Sequence, residues 1–187
     1  QSPPGCSMTA PLTDSLGSPV TLRDERSLAA LNDFVEGFIA CEARAVNVLQ
    51  AQGDASPLVQ AYCAALHMFA ESAEAPRNAR PFITQALASA PQASEREQRF
   101  LAAVAAWVDG NVPRAIALHE EQASLHPRDL ASLKLGQYHL FNRGDSPGML
   151  RLGLQALPAA AEVPYLHGML AFGWEQCHRL QEAEAAA

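Results

Sequence analysis

Apolar residues recur at helical spacing through most of the chain, and no stretch shows the two-residue alternation of a strand. From Ser27 to about Ala51, Leu28, Leu31, Phe34, Val35, Phe38 and Ile39 return every three or four positions, which predicts one long amphipathic helix ended by Gly53. Ser56 before Pro57 reads as an N-cap with a first-turn proline. The following residues 58–73 are apolar nearly all round, the pattern of a helix buried between neighbours. A third helix is predicted over 78–90, with Pro81 in its first turn, where a missing N–H has no helical partner to lose. Ser94 and Glu97 form a capping box ahead of an apolar stripe of Phe100, Leu101, Val104, Trp107 and Val108, which Gly110 ends. Further helices are predicted over 113–125, 129–142, 147–156 and 163–177 and from 180 onward, about nine in all.

The breaks carry a period of their own. Gly110-Asn111 and Gly144-Asp145 are turn dipeptides 34 residues apart; His178-Arg179 follows 34 later, and Pro76 stands 34 before Gly110. Two helices in ~34 residues is the tetratricopeptide signature. The expected fold is therefore all-α, a superhelix of tetratricopeptide-type hairpins (an α-solenoid) in which each hairpin covers the apolar face of the next and one groove stays concave. Small residues fit that packing: Ala115 and Ala183 stand five after their turns, Ala103 and Ala171 seven before, and Pro127 and Pro158 come near the repeat ends.

Composition supports helix over strand, since alanine is abundant and β-branched residues are sparse. The net charge of −7 and the presence of a single lysine, Lys134, leave no basic patch for nucleic acid or anionic lipid. No apolar run reaches the ~18 residues a membrane span needs. Cys6, Cys41, Cys63 and Cys177 form no CxxC pair, which suits reduced thiols in a cytoplasmic protein. Residues 1–22 read as a disordered or extended leader, and 23–187 as one helical-repeat domain. Met8 looks like a natural start, with residues 1–7 a remnant or a processed leader. The last predicted helix stops after about two turns without a cap, so Leu166, Leu170 and Trp174 are expected to lack a partner. That predicts an array truncated at its carboxyl end, its exposed last hairpin free to form a homodimer.

Several fragments, Asp14-Ser15-Leu16-Gly17-Ser18-Pro19, Arg96-Glu97, Pro127-Arg128-Asp129 and above all Gly168-Met169-Leu170-Ala171-Phe172-Gly173-Trp174-Glu175, resemble the tetratricopeptide repeat protein 38 family. The chain is similar to the amino-terminal half of a bacterial-type member. That resemblance implies a helical-repeat protein, supplies no reaction, and implies further helices with histidine-rich segments beyond the point where this sequence ends.

Candidate chemistry is thin. His119 and His126 are seven apart, about 10 Å along a helix, too far for one zinc with bonds of about 2 Å; His167 and His178 are eleven apart, so no metal or other cofactor is expected. His119 and His167 occupy packing positions of the repeat, and Cys41, Cys63 and Cys177 lie in apolar helical stretches without a nearby His or Arg to make a nucleophile. Gly168 and Gly173 lack the strand-turn-helix setting of a phosphate loop. What remains is the groove, whose nominal register presents Glu97, Phe100, Trp107, Lys134, Tyr138, Tyr165, Met169, Phe172 and Glu175, with Phe100 and Trp107 better read as core. The sequence thus predicts a module that binds a protein, peptide or small molecule through Tyr138, Tyr165, Met169, Phe172 and Glu175. The alternatives are an enzyme or enzyme subunit whose active site needs residues beyond this sequence, and an oligomerising scaffold.

Overall fold

A computed structural model describes residues 11–187, which are all-helical apart from turns, extended segments and one isolated bridge between Thr13 and Pro19. Among the described residues nine α-helices run in the order α1 (Leu28–Ala40), α2 (Pro57–Met68), α3 (Ala75–Ser89), α4 (Glu95–Val108), α5 (Val112–Leu125), α6 (Leu130–Asn142), α7 (Ser146–Ala160), α8 (Pro164–Gln176) and α9 (Leu180–Ala186), with 3-10 helices at Glu25–Ser27, Ala43–Ala51 and Ala90–Gln92.

Most boundaries follow the capping chemistry. Ser94 and Glu97 make the capping box at the start of α4, and Asn111, Asp129 and Asp145 each accept a backbone N–H three residues on to open α5, α6 and α7. The turns that join α4 to α5, α6 to α7 and α8 to α9 are copies of one another. Gly110, Gly144 and His178 take φ of 77°, 74° and 56°, and the next residue in each turn donates its N–H five residues back, to Ala106, Leu140 and Trp174. The period fails earlier: Pro76 lies inside α3, and the left-handed residue between α2 and α3 is Glu71, 39 rather than 34 residues before Gly110.

Two more expectations are corrected. The predicted helix over 27–51 breaks at Cys41, which takes φ 59°, and the chain returns as a 3-10 helix packed on α1. The approach is so close that a Cβ on Gly37 would stand 2.6 Å from the Ala45 nitrogen. Gly37→Ala should therefore destabilise the fold by about 1–3 kcal/mol in urea titration, despite alanine's better helix propensity; an unchanged midpoint would mean that the two segments separate freely. Pro81 lies well inside α3 rather than in its first turn, and Pro158, near the end of its repeat as expected, lies inside the last turn of α7 rather than after it; both are on exposed faces where the carbonyl left without a partner meets water. Of the segment expected as a leader, residues 11–22 are extended on either side of a turn at Gly17, while Cys6, Met8 and the rest of 1–10 lie outside the described residues.

Packing is mostly between neighbours in sequence, with α2 also against α4 and α5 also against α7. Ten of the twelve residues of α2 are buried, so its nearly uniform apolar pattern has partners on every side. One large apolar cluster surrounds α2, with Phe34 stacked on Tyr62 at 4.1 Å, and a second joins α5 to α8. Leu166 and Leu170 are buried in this second cluster and Trp174 is half-buried against it, so the expectation that they lack a partner does not hold; the exposed large apolar residues of the last pair are Tyr165, Phe172 and Leu180. Helix α1 does not extend this order. It crosses to α6 and α8, and its last turn inserts Ile39 into the second cluster.

Residues 11–24, which turn back at Gly17 so that Thr13 pairs with Pro19, form a strap across the helix ends. Arg96 of α4 donates to Pro19 O at 2.8 Å, Arg128 to Leu16 O at 3.1 Å, and both the N–H and the hydroxyl of Thr21 donate to the buried Glu97 carboxylate, at 2.7 and 2.9 Å. Asp14 is buried there, and desolvation raises its pKa above the usual value.

Candidate functional site

Two helical stripes face each other across a gap. On α6, Lys134, Tyr138 and Phe141 fall four and seven positions apart, hence on one face; on α8, Tyr165, Met169 and Phe172 repeat that spacing, with Gly168 beside them. The left-handed residue at the end of α1 stops that helix just where Phe38 to Cys41 reach the same gap. Together with Phe69, Gln137, Met149, Pro164 and Ala187 they enclose a pocket of ≈ 630 Å³, within the ~300–1,000 Å³ range of sites that hold small ligands.

The polar groups around it are few and fixed. Lys134 Nζ donates to Ile39 O at 2.8 Å and to Cys41 Sγ at 2.9 Å, and lies 5.6 Å from the centre of the Phe38 ring. The amine thereby satisfies a carbonyl that the end of α1 leaves open. Gln137 donates to Met149 O at 2.8 Å, and the Tyr138 hydroxyl donates to Glu71 at 2.6 Å. Burial and that hydrogen bond push the Tyr138 phenol up to about 12, so at neutral pH it is a donor already engaged. Gly168 matters for what it lacks, since a Cβ there would meet no atom within 4 Å. Tyr165 and Phe172 are 39% and 41% exposed, and Phe172 meets Phe141 at 5.6 Å across the mouth.

Of the five residues singled out by sequence, Tyr138, Tyr165, Met169 and Phe172 line this pocket. Glu175 does not: it is exposed, one turn beyond Phe172 near the end of α8. Phe100 and Trp107 are core, and Glu97 is held by the strap rather than facing a groove. Sequence reasoning missed the whole contribution of α1, because nothing about Cys41 announces a left-handed turn, and it missed Phe69, Phe141 and Gly168. Phe141 was within reach, one helical turn past Tyr138.

Elsewhere His119, His139 and Cys63 are enclosed. His119 Nδ1 lies 2.7 Å from Ser132 Oγ, both fully buried, and the ring meets His139 at 5.8 Å. Gly136 makes room for it, since a Cβ there would stand 2.9 Å from His119 Cβ. Desolvation, with His139 nearby, holds the His119 pKa down at about 3, and burial holds His139 at about 4, so both rings are neutral at pH 7. Burial pushes the Cys63 thiol up to about 12, whereas Cys41 is exposed and Cys177 half-buried, which corrects the expectation that all three are helix-interior residues. His167, half-buried, has its Nε2 2.7 Å from Ala161 O. Among the described residues no three His, Cys, Asp or Glu side chains could hold a metal ion together, and no helix is long and apolar enough to cross a membrane.

Fold and site together define an all-helical protein with an aromatic-walled pocket between α1, α6 and α8. Neither a protein-family model nor a solved structure matches the chain.

Proposed function

We propose that the chain is a binding module of the tetratricopeptide-repeat kind, which holds a small and mostly apolar molecule on the concave side of its hairpins. The repeat part of this reading is supported by three turns of the same geometry at 34-residue spacing. The observation that carries the binding part is the pair of matched stripes, Lys134-Tyr138-Phe141 and Tyr165-Met169-Phe172, lining a pocket in which the polar groups of Lys134, Gln137 and Tyr138 are already hydrogen-bonded to the protein. Such walls offer area to an apolar guest and little to a polar one. α1 serves as an end wall that turns an open groove into a bounded site.

Gly168 supplies the test. Gly168→Leu places a side chain in the pocket without a clash at its Cβ and replaces a poor helix former inside α8, so the variant should melt at or slightly above the native temperature, by about 0.5–1 kcal/mol in stability. N-phenyl-naphthylamine, a neutral apolar fluorophore, should brighten with the native protein and not with Gly168→Leu. Equal brightening with both, or none with the native protein, rules out this pocket as the binding site.

A further inference from the structure

We infer that the pocket's ligand is an amphipath with one carboxylate, its headgroup seated at Lys134 Nζ and its alkyl chain laid between the α6 and α8 stripes. The inference rests on the binding reading above and gives it a ligand class. Lys134 is the only charged side chain in the pocket wall and the only lysine in the chain. Nine of the twelve arginines pair with a carboxylate, and the three that do not, Arg23, Arg114 and Arg143, are exposed. Among the described residues Lys134 alone is a half-buried cation with no carboxylate at ion-pair distance. Its contacts with the Ile39 carbonyl and the Phe38 ring offset part of that charge, since a helix end carries about half a unit and the ring only a quadrupole.

Donor count selects the headgroup. An ammonium has three hydrogens; Ile39 O and Cys41 Sγ take two, which leaves one for a ligand oxygen. One donor on a point charge suits a single carboxylate, whereas a phosphate dianion calls for several donors or a bidentate guanidinium. The net charge of −7 weighs further against a dianion. Beyond the amine the walls are aromatic, Met169 and the open side of Gly168, with no second cation for another acid group.

Isothermal titration below the micelle threshold with dodecanoate, dodecanol and dodecyltrimethylammonium tests this. Dodecanoate should bind the native protein roughly 10–100-fold more tightly than dodecanol, the gain of one charge-assisted hydrogen bond, and the cationic chain should bind weakest. Octanoate should bind less tightly than dodecanoate by about fourfold for each methylene removed. Lys134→Gln, which keeps a donor for Ile39 O, should bring dodecanoate down to the affinity that the same variant has for dodecanol. Acetylation of the single lysine of the native protein should do the same without any substitution. Equal binding of dodecanoate and dodecanol, or a preference that survives both Lys134→Gln and acetylation, overturns the carboxylate inference and leaves the pocket reading standing. Alkyl binding that Gly168→Leu does not reduce overturns the pocket reading itself.

Discussion

Asp129→Ala should destabilise the protein by about 3–5 kcal/mol, the cost of leaving a buried cation without its partner. The carboxylate is 5% exposed and its oxygens serve three donors at once: the Arg96 guanidinium at 2.9 Å, the Gln122 amide at 2.9 Å and the Ser132 N–H at 3.1 Å that it caps at the start of α6. Arg96 is itself enclosed, donating its other amine to Pro19 O, so truncating Asp129 strands the charge where water cannot reach it. The double change Arg96→Met with Asp129→Leu removes both charges and should recover much of the loss, because a buried pair adds little over an apolar pair of similar volume. Urea unfolding of the two single variants and the double variant measures the coupling. A cost under about 1 kcal/mol for Asp129→Ala would show that Arg96 swings out to solvent.

Acidification should unfold the protein well before its surface carboxylates titrate. His119 and His139 have folded pKa values of about 3 and about 4 against about 6.5 in an unfolded chain, so between those limits the unfolded state binds the extra protons. For a base whose pKa is depressed, the stabilising contribution is fully present above pH 6.5 and is lost as pH falls toward 4. At about 1.4 kcal/mol per unit, His139 alone accounts for a loss on the order of 3 kcal/mol, with a comparable amount from His119. Asp14, whose pKa is raised by burial, works in the opposite sense and only near the carboxylate range. The melting temperature should therefore fall steeply between pH 6.5 and 4.5, and His139→Leu should reduce that slope by about half. A flat profile over that interval would mean that the rings are charged, or reach water, in the folded state.

The pattern that could be read in the sequence was the local one. Capping at Ser94, Asp129 and Asp145 and the left-handed glycines 110 and 144 are properties of a few adjacent residues, and the helices they delimit appear where expected. Harder to read were features decided at a distance. Cys41 adopts a left-handed conformation without the composition for it, and more distant parts of the chain hold it there: the 3-10 helix returns onto Gly37, and Lys134 of α6 reaches the end of α1. No helical periodicity within α1 foretells that its end will wall a pocket built by helices some hundred residues later. For the same reason Tyr138, Tyr165, Met169 and Phe172 could be placed on helix faces, whereas Glu175, on a similar face, fell outside the gap once α1 set its length. Fragments that looked unconnected in the sequence meet in space: Asp14 to Pro19, Arg96-Glu97 and Arg128-Asp129 all join where the strap crosses the helix ends.

That strap sets an order of events during synthesis. Leu16 and Pro19 leave the ribosome well before the arginines that bind their carbonyls, which lie 112 and 77 residues further on. At roughly 5–20 residues per second, some 6–20 s pass between the appearance of Leu16 and that of Arg128. Through that interval Leu12, Leu16 and Val20, all of which pack on the core of the finished protein, are apolar residues without a complete partner, open to non-native contacts until the helices that receive them are made.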